Sequence, residues 1–153
     1  MEIRTRIQEA TKDAMRSRDQ LRLSTLRLIG AALKDREIAV RGEPGQTGLD
    51  EADVVALLSK MVKQRQESAR AYEEGGRLEL AERETQEIAI IQEFLPRQLD
   101  QAEVAAVIDR VIAELGATGV RDMGRVMGAL RERHAGQMDF GAAGALVKSR
   151  LMG

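Results

Sequence analysis

Proline occurs at only two positions, Pro44 and Pro96. Proline removes a backbone donor and crowds the preceding turn, so it interrupts any helix that meets it. The long stretches on either side are filled with apolar residues at spacings of three and four, the period of one helix face. Ile3, Ile7, Ala10 and Ala14 predict a first helix over about 2–17. Leu23, Leu26, Ile29 and Leu33 predict a second, capped by Asp19 and reaching Val40, with Leu28 and Ala32 widening its buried face. A loop over 41–48, with three glycines and Pro44, follows. A third helix opens on Asp50, with Asp53 three residues on as a variant capping box. It carries Val54, Leu57, Leu58, Met61 and Val62 inward and stops at Gly75 and Gly76. A fourth runs from Leu78 to Phe94, with Ile88, Ile91 and Leu95 inward and Glu79 paired to Arg83 one turn on.

Beyond Pro96 the pattern restarts. Asp100 and Glu103 form a second capping box ahead of Val104, Val107, Ile108, Val111, Ile112 and Leu115, and Gly116 ends that helix. Another begins near Asp122 and buries Met123, Val126, Met127 and Leu130. A last one, capped by Asp139, carries Phe140, Ala143, Leu146, Val147 and Leu151. The expected fold is all-α. A four-helix N-terminal module covers 1–95, a joint 96–99, and a small three-helix bundle 100–153. With aromatic residues at 2%, both cores must be aliphatic.

Several kinds of chemistry lack their residues. There is no cysteine, which excludes disulfides and thiolate nucleophiles. His134 is the single histidine and lies in the polar run Arg131–His134, where a solvated side chain is the simpler reading. None of the five serines sits in a G-x-S-x-G turn. A di-iron bundle needs two Glu-x-x-His motifs, and Glu132 is two residues from His134, not three. Glu79, Glu82, Glu84 and Glu87 alternate with Arg83 and Gln86 and read as a solvated face. Gly45-Gln46-Thr47-Gly48 lacks the lysine of a phosphate loop. No metal and no cofactor is expected, and no catalytic residue is assigned. No apolar run approaches the ~18 residues of a spanning helix, and the N-terminal residues lack an apolar leader core. No membrane partner is expected, and the expected place is the cytosol.

Net charge is −1, so the chain has no bulk basicity to draw it to nucleic acid. The distribution is uneven. Residues 1–41 hold ten basic and six acidic side chains, residues 50–100 seven and twelve, and residues 101–153 seven and six. Base stacking needs exposed aromatics, and this chain has two Phe and one Tyr. Contact with RNA would have to use charge and shape. Candidate contacts are Arg121, Arg125, Arg131, Arg133, Lys148 and Arg150. Gly124 and Gly128 lie one turn apart on one face of a helix. Each costs about 1 kcal/mol against alanine there, which suggests a close approach to the backbone. Either a neighbouring helix packs on them, or a nucleic-acid backbone or partner docks there. Arg22, Arg27, Lys60 and Lys63 make a secondary basic set that matters only if the two helices bring it together.

Four blocks carry a resemblance. Arg22-Leu23-Ser24-Thr25-Leu26-Arg27-Leu28-Ile29, the run from Lys60 to Ser68, Glu93-Phe94-Leu95-Pro96-Arg97-Gln98-Leu99, and the run from Asp122 to Gly128 occur in the order of the YqeY family, also labelled GatB/YqeY. The chain resembles that family over nearly its whole length. The resemblance implies a larger N-terminal helical module and a C-terminal module similar to the tail domain of the aminoacyl-tRNA amidotransferase B subunit, a tRNA-facing piece away from the reacting centres. It implies tRNA as a partner, with amidotransferase or synthetase proteins nearby. The label attached to such relatives is carbon–nitrogen ligase with glutamine as amido donor. No residues for a complete activity of that kind are present.

Three readings remain open: a non-catalytic module that binds tRNA, a helical protein–protein adaptor with no RNA affinity, and an amidotransferase-related enzyme component.

Overall fold

The computed structural model describes residues 2–43, 45 and 48–153. Part of the expected 41–48 loop (Pro44, Gln46 and Thr47) lies outside the described residues. The fold is all-α, a four-helix N-terminal module and a three-helix C-terminal bundle. By Cα proximity, one compact unit ends at Leu95 and the other begins at Pro96.

In the first unit, α1 is Ile3–Ser17, α2 Gln20–Arg41, α3 Glu51–Glu74 and α4 Leu78–Gln92. Arg18 takes the left-handed conformation, with φ 58°, and closes α1. The next residue, Asp19, starts α2 by accepting from the Arg22 amide. At α3 the capping box is reciprocal: Asp53 N–H donates to Asp50 at 2.8 Å, and Asp50 N–H to Asp53 at 3.1 Å. Its far end is a Schellman closure. Arg77 N–H reaches back to Tyr72 O and Gly76 N–H to Glu73 O, with Gly76 at φ +74°. Helix α4 ends two residues before the expected Phe94. The amides of Glu93, Phe94 and Leu95 each bond three residues back, because Pro96 disfavours α geometry at Leu95 and the last turn tightens.

Leu26, Ile29, Leu58 and Ile91 are fully buried at the centre of this unit, with Phe94 beside them. Leu28, expected to widen the buried face of α2, is turned to solvent. It lies two residues from Leu26, about 200° around the helix. Arg83 lies 3.9 Å from Glu87, one turn on, and not against Glu79. Glu87, expected on a solvated face, is buried, with its carboxylate 3.2 Å from Arg65 of α3. Beyond Val62 the buried residues of α3 and α4 outside the apolar cluster are Ala69, Ala81 and Glu87. That end of the hairpin packs on itself through small side chains and one ion pair.

In the second unit, α5 is Gln101–Leu115, α6 Met123–Arg133 and α7 Phe140–Met152, with a 3-10 turn at Val120–Asp122. Ile108, Val111, Val126, Leu130 and Val147 form its core. Residues 97–99, within the expected joint, are bonded to the loop ahead of α7. Leu99 N–H donates to Gln137 O at 2.9 Å, the Gln98 amide to Gly136 O, and the Gln137 amide to Arg97 O at 3.1 Å.

Candidate nucleic-acid interface

Helix α6 sets the geometry of the candidate site. Val126, Met127 and Leu130 point into the core. At about 100° per residue, Gly124, Arg125, Gly128 and Glu132 therefore occupy the opposite side, and all four are exposed. A Cβ built on either glycine meets nothing within 4 Å. No neighbouring helix uses these glycines. Gly144 of α7 faces α6, and a Cβ there would meet the methyls of Met123 and Met127 at 3.7 Å, an ordinary van der Waals distance.

The six candidate cations do not act as one set. Arg133 pairs with Glu114, and Arg150 with Asp109 at 3.3 Å, so both are turned to α5. Arg125 donates to the carbonyl of Leu115 at 2.9 Å and lies 3.7 Å from Asp122, which leaves it beside the glycines but tethered. The Asp122 carboxyl is held below its usual range, first by the Thr118 amide at 3.0 Å. Arg131 lies over the Phe140 ring at 5.8 Å, a cation–π contact. Among the described residues, Arg121 and Lys148 have no carboxylate within ion-pair reach, and both are exposed.

Within the secondary basic set, Arg22 is engaged by a carboxylate. Arg22 holds both oxygens of Glu93, at 2.6 and 3.1 Å, and that bond raises its pKa. Arg6 completes the clamp, donating to Glu93 O at 2.8 Å and covering the Phe94 ring at 5.4 Å. Two of the resembling blocks, one in α2 and one at the end of α4, meet in this clamp. Arg27, Lys60 and Lys63 are exposed on α2 and α3. His134 is half-buried, not fully solvated, and its Nδ1 lies 2.9 Å from Gln137 Oε1.

Among the described residues no group of three or more His, Asp or Glu side chains could hold a metal ion, and no helix is long and apolar enough to cross a membrane.

The chain is similar to yeast proteins named "Altered inheritance of mitochondria protein 41, mitochondrial". It is 34% identical to that of Lachancea thermotolerans over 68% of this chain and 54% of the relative. For Eremothecium gossypii the identity is 30% over 95% of this chain and 78% of the relative. For Clavispora lusitaniae it is 29% over 92% and 79%. The chain thus spans about half the length of the Lachancea relative. These names correct the expectation of a cytosolic place. That expectation rested on the lack of cysteine and of an apolar leader core. Neither feature separates cytosol from mitochondrion, since mitochondrial leaders are amphipathic and Arg-rich rather than apolar. The model of the "Yqey-like protein" family matches residues 4–151, and the chain belongs to that family.

Proposed function

We propose that this chain is a non-catalytic helical module that engages tRNA through the solvent side of α6. The observation that carries the reading is the open space over Gly124 and Gly128. Two glycines inside a helix lower its stability, and among the described residues nothing fills the space they leave. A phosphate backbone can approach that bare surface, with Arg121 and Arg125 beside it, Arg131 on the flank toward α7 and Lys148 on α7. Arg125, Arg133 and Arg150 each face a carboxylate, at Asp122, Glu114 and Asp109, and join the contact by exchanging it for phosphate. The resemblance read in the Asp122–Gly128 block, to the amidotransferase B-subunit tail, is what favours tRNA among RNAs in this reading. It suggests work beside a carbon–nitrogen ligase using glutamine as amido donor, or beside a synthetase. The second reading, a protein adaptor without RNA affinity, is favoured by Glu132 on the same face and by the overall charge of −1.

Binding of bulk tRNA and of a length-matched hairpin to the full chain, at about 50 and 200 mM salt, separates the two. Preference for tRNA is expected, with affinity falling as salt rises. Arg121→Ala is expected to lower the salt slope by about one unit. No binding at low salt leaves the adaptor.

A further inference from the structure

We infer that the first unit carries a docking groove for a second copy of this chain, and that its occupant is the tip of the partner copy's α3–α4 hairpin. A groove of about 290 Å³ lies between α1 and α2, lined by Arg4, Ile7, Leu33, Lys34, Ile38 and Arg41 with Gln8, Gly30 and Glu37. Its floor is apolar, and Ile38 is left 52% exposed. Gly30 adds room, with nothing within 4 Å of a Cβ built there. Three cations face one carboxylate. Glu37 binds Arg4 at 3.0 Å and lies 4.0 Å from Arg41, and Lys34 has no ion-pair partner among the described residues. The groove therefore suits an apolar knob flanked by carboxylates.

The same chain presents such a knob. Leu78, the first residue of α4, is 68% exposed. Glu74, Glu79 and Glu82 surround it in sequence and are exposed, against one cation, Arg77. The knob cannot reach the groove of its own unit. Ile3 N–H donates to the Glu51 carboxylate at 3.2 Å, which holds the start of α3 at the groove end. The 24 residues of α3 then carry the tip about 36 Å away. Two antiparallel copies, each placing its tip in the other's groove, close the contact with two-fold symmetry and leave no free site.

Sedimentation velocity on the full chain tests this. A monomer at about 1 µM and a dimer at about 100 µM are expected, the range of a small, transient interface. Lys34→Glu and Glu82→Lys, each alone, are expected to raise the dissociation constant at least about tenfold, and an equimolar mixture of the two variants to recover part of it. Gly30→Leu fills the groove from an exposed helix position and is expected to abolish the dimer with the circular-dichroism spectrum unchanged. A monomer throughout the concentration range overturns the inference. So does a dimer that none of the three substitutions weakens.

Discussion

Gly128 is a mid-helix glycine with open space where a side chain would be. Replacing it by alanine lowers the entropy lost on folding and meets no neighbour. Gly128→Ala is expected to stabilise the second unit by up to about 1 kcal/mol in urea unfolding. If the proposed RNA contact is right, the same substitution weakens tRNA binding, because a methyl then stands between phosphate and backbone. Gain of stability with loss of binding separates a docking surface from a structural glycine. The Arg65–Glu87 pair behaves in the opposite way. Both side chains are nearly enclosed between α3 and α4, so removing one leaves the other's charge out of water without a partner. Glu87→Ala is expected to cost about 3 kcal/mol by thermal or urea unfolding. Glu84 feels the same surroundings: burial first, and then the Glu87 charge, raise its pKa.

At the scale of elements, four helix starts are built from carboxylates. Asp19, Asp50, Asp100 and Asp139 each accept from an amide of the first turn. The Asp100 box is extended by Arg97, whose guanidinium holds both oxygens of Glu103 at 2.9 and 2.7 Å. That bond, followed by the Asp100 amide, lowers Glu103 from 4.5 to about 2. A carboxyl held lower in the folded chain than in the unfolded one adds stability that is full above the unfolded value. The stability fades as pH falls toward the folded value. The second unit is therefore expected to lose stability between about pH 4.5 and pH 2, and Glu103→Gln to flatten that part of the curve. Urea midpoints at a series of acid pH values check both. All four of these caps were legible in the sequence, because a cap needs only a short polar side chain at the right place before a periodic run. The early end of α4 was less legible, since it depends on how far back the influence of Pro96 tightens the turn.

At the scale of the whole molecule there are two apolar clusters, one in each unit. Leu130 is fully buried in the second. Leu130→Ala is expected to cost about 3 kcal/mol and to speed hydrogen exchange through α5–α7 while leaving the amides of α1–α4 as they were. Much of this architecture is set by local rules: helical spacing of aliphatic residues, four acidic caps, glycines at Gly76 and Gly116, and a proline where one unit gives way to the next. Those features act over a few residues, so the sequence by itself determined the number and order of the helices and most of their buried positions, Leu28 and Glu87 excepted. Partnership across helices was decided by the tertiary structure alone. The sequence placed Glu87 on a polar face, and packing of α3 against α4 buried it on Arg65. Six cations of the C-terminal unit looked equivalent, and the fold tied Arg133 and Arg150 to carboxylates of α5. The spacing of Gly124 and Gly128 admitted helix packing or an outside partner, and among the described residues no helix packs on them. Charge and exposure depend on neighbours distant in sequence, and no local period encodes them.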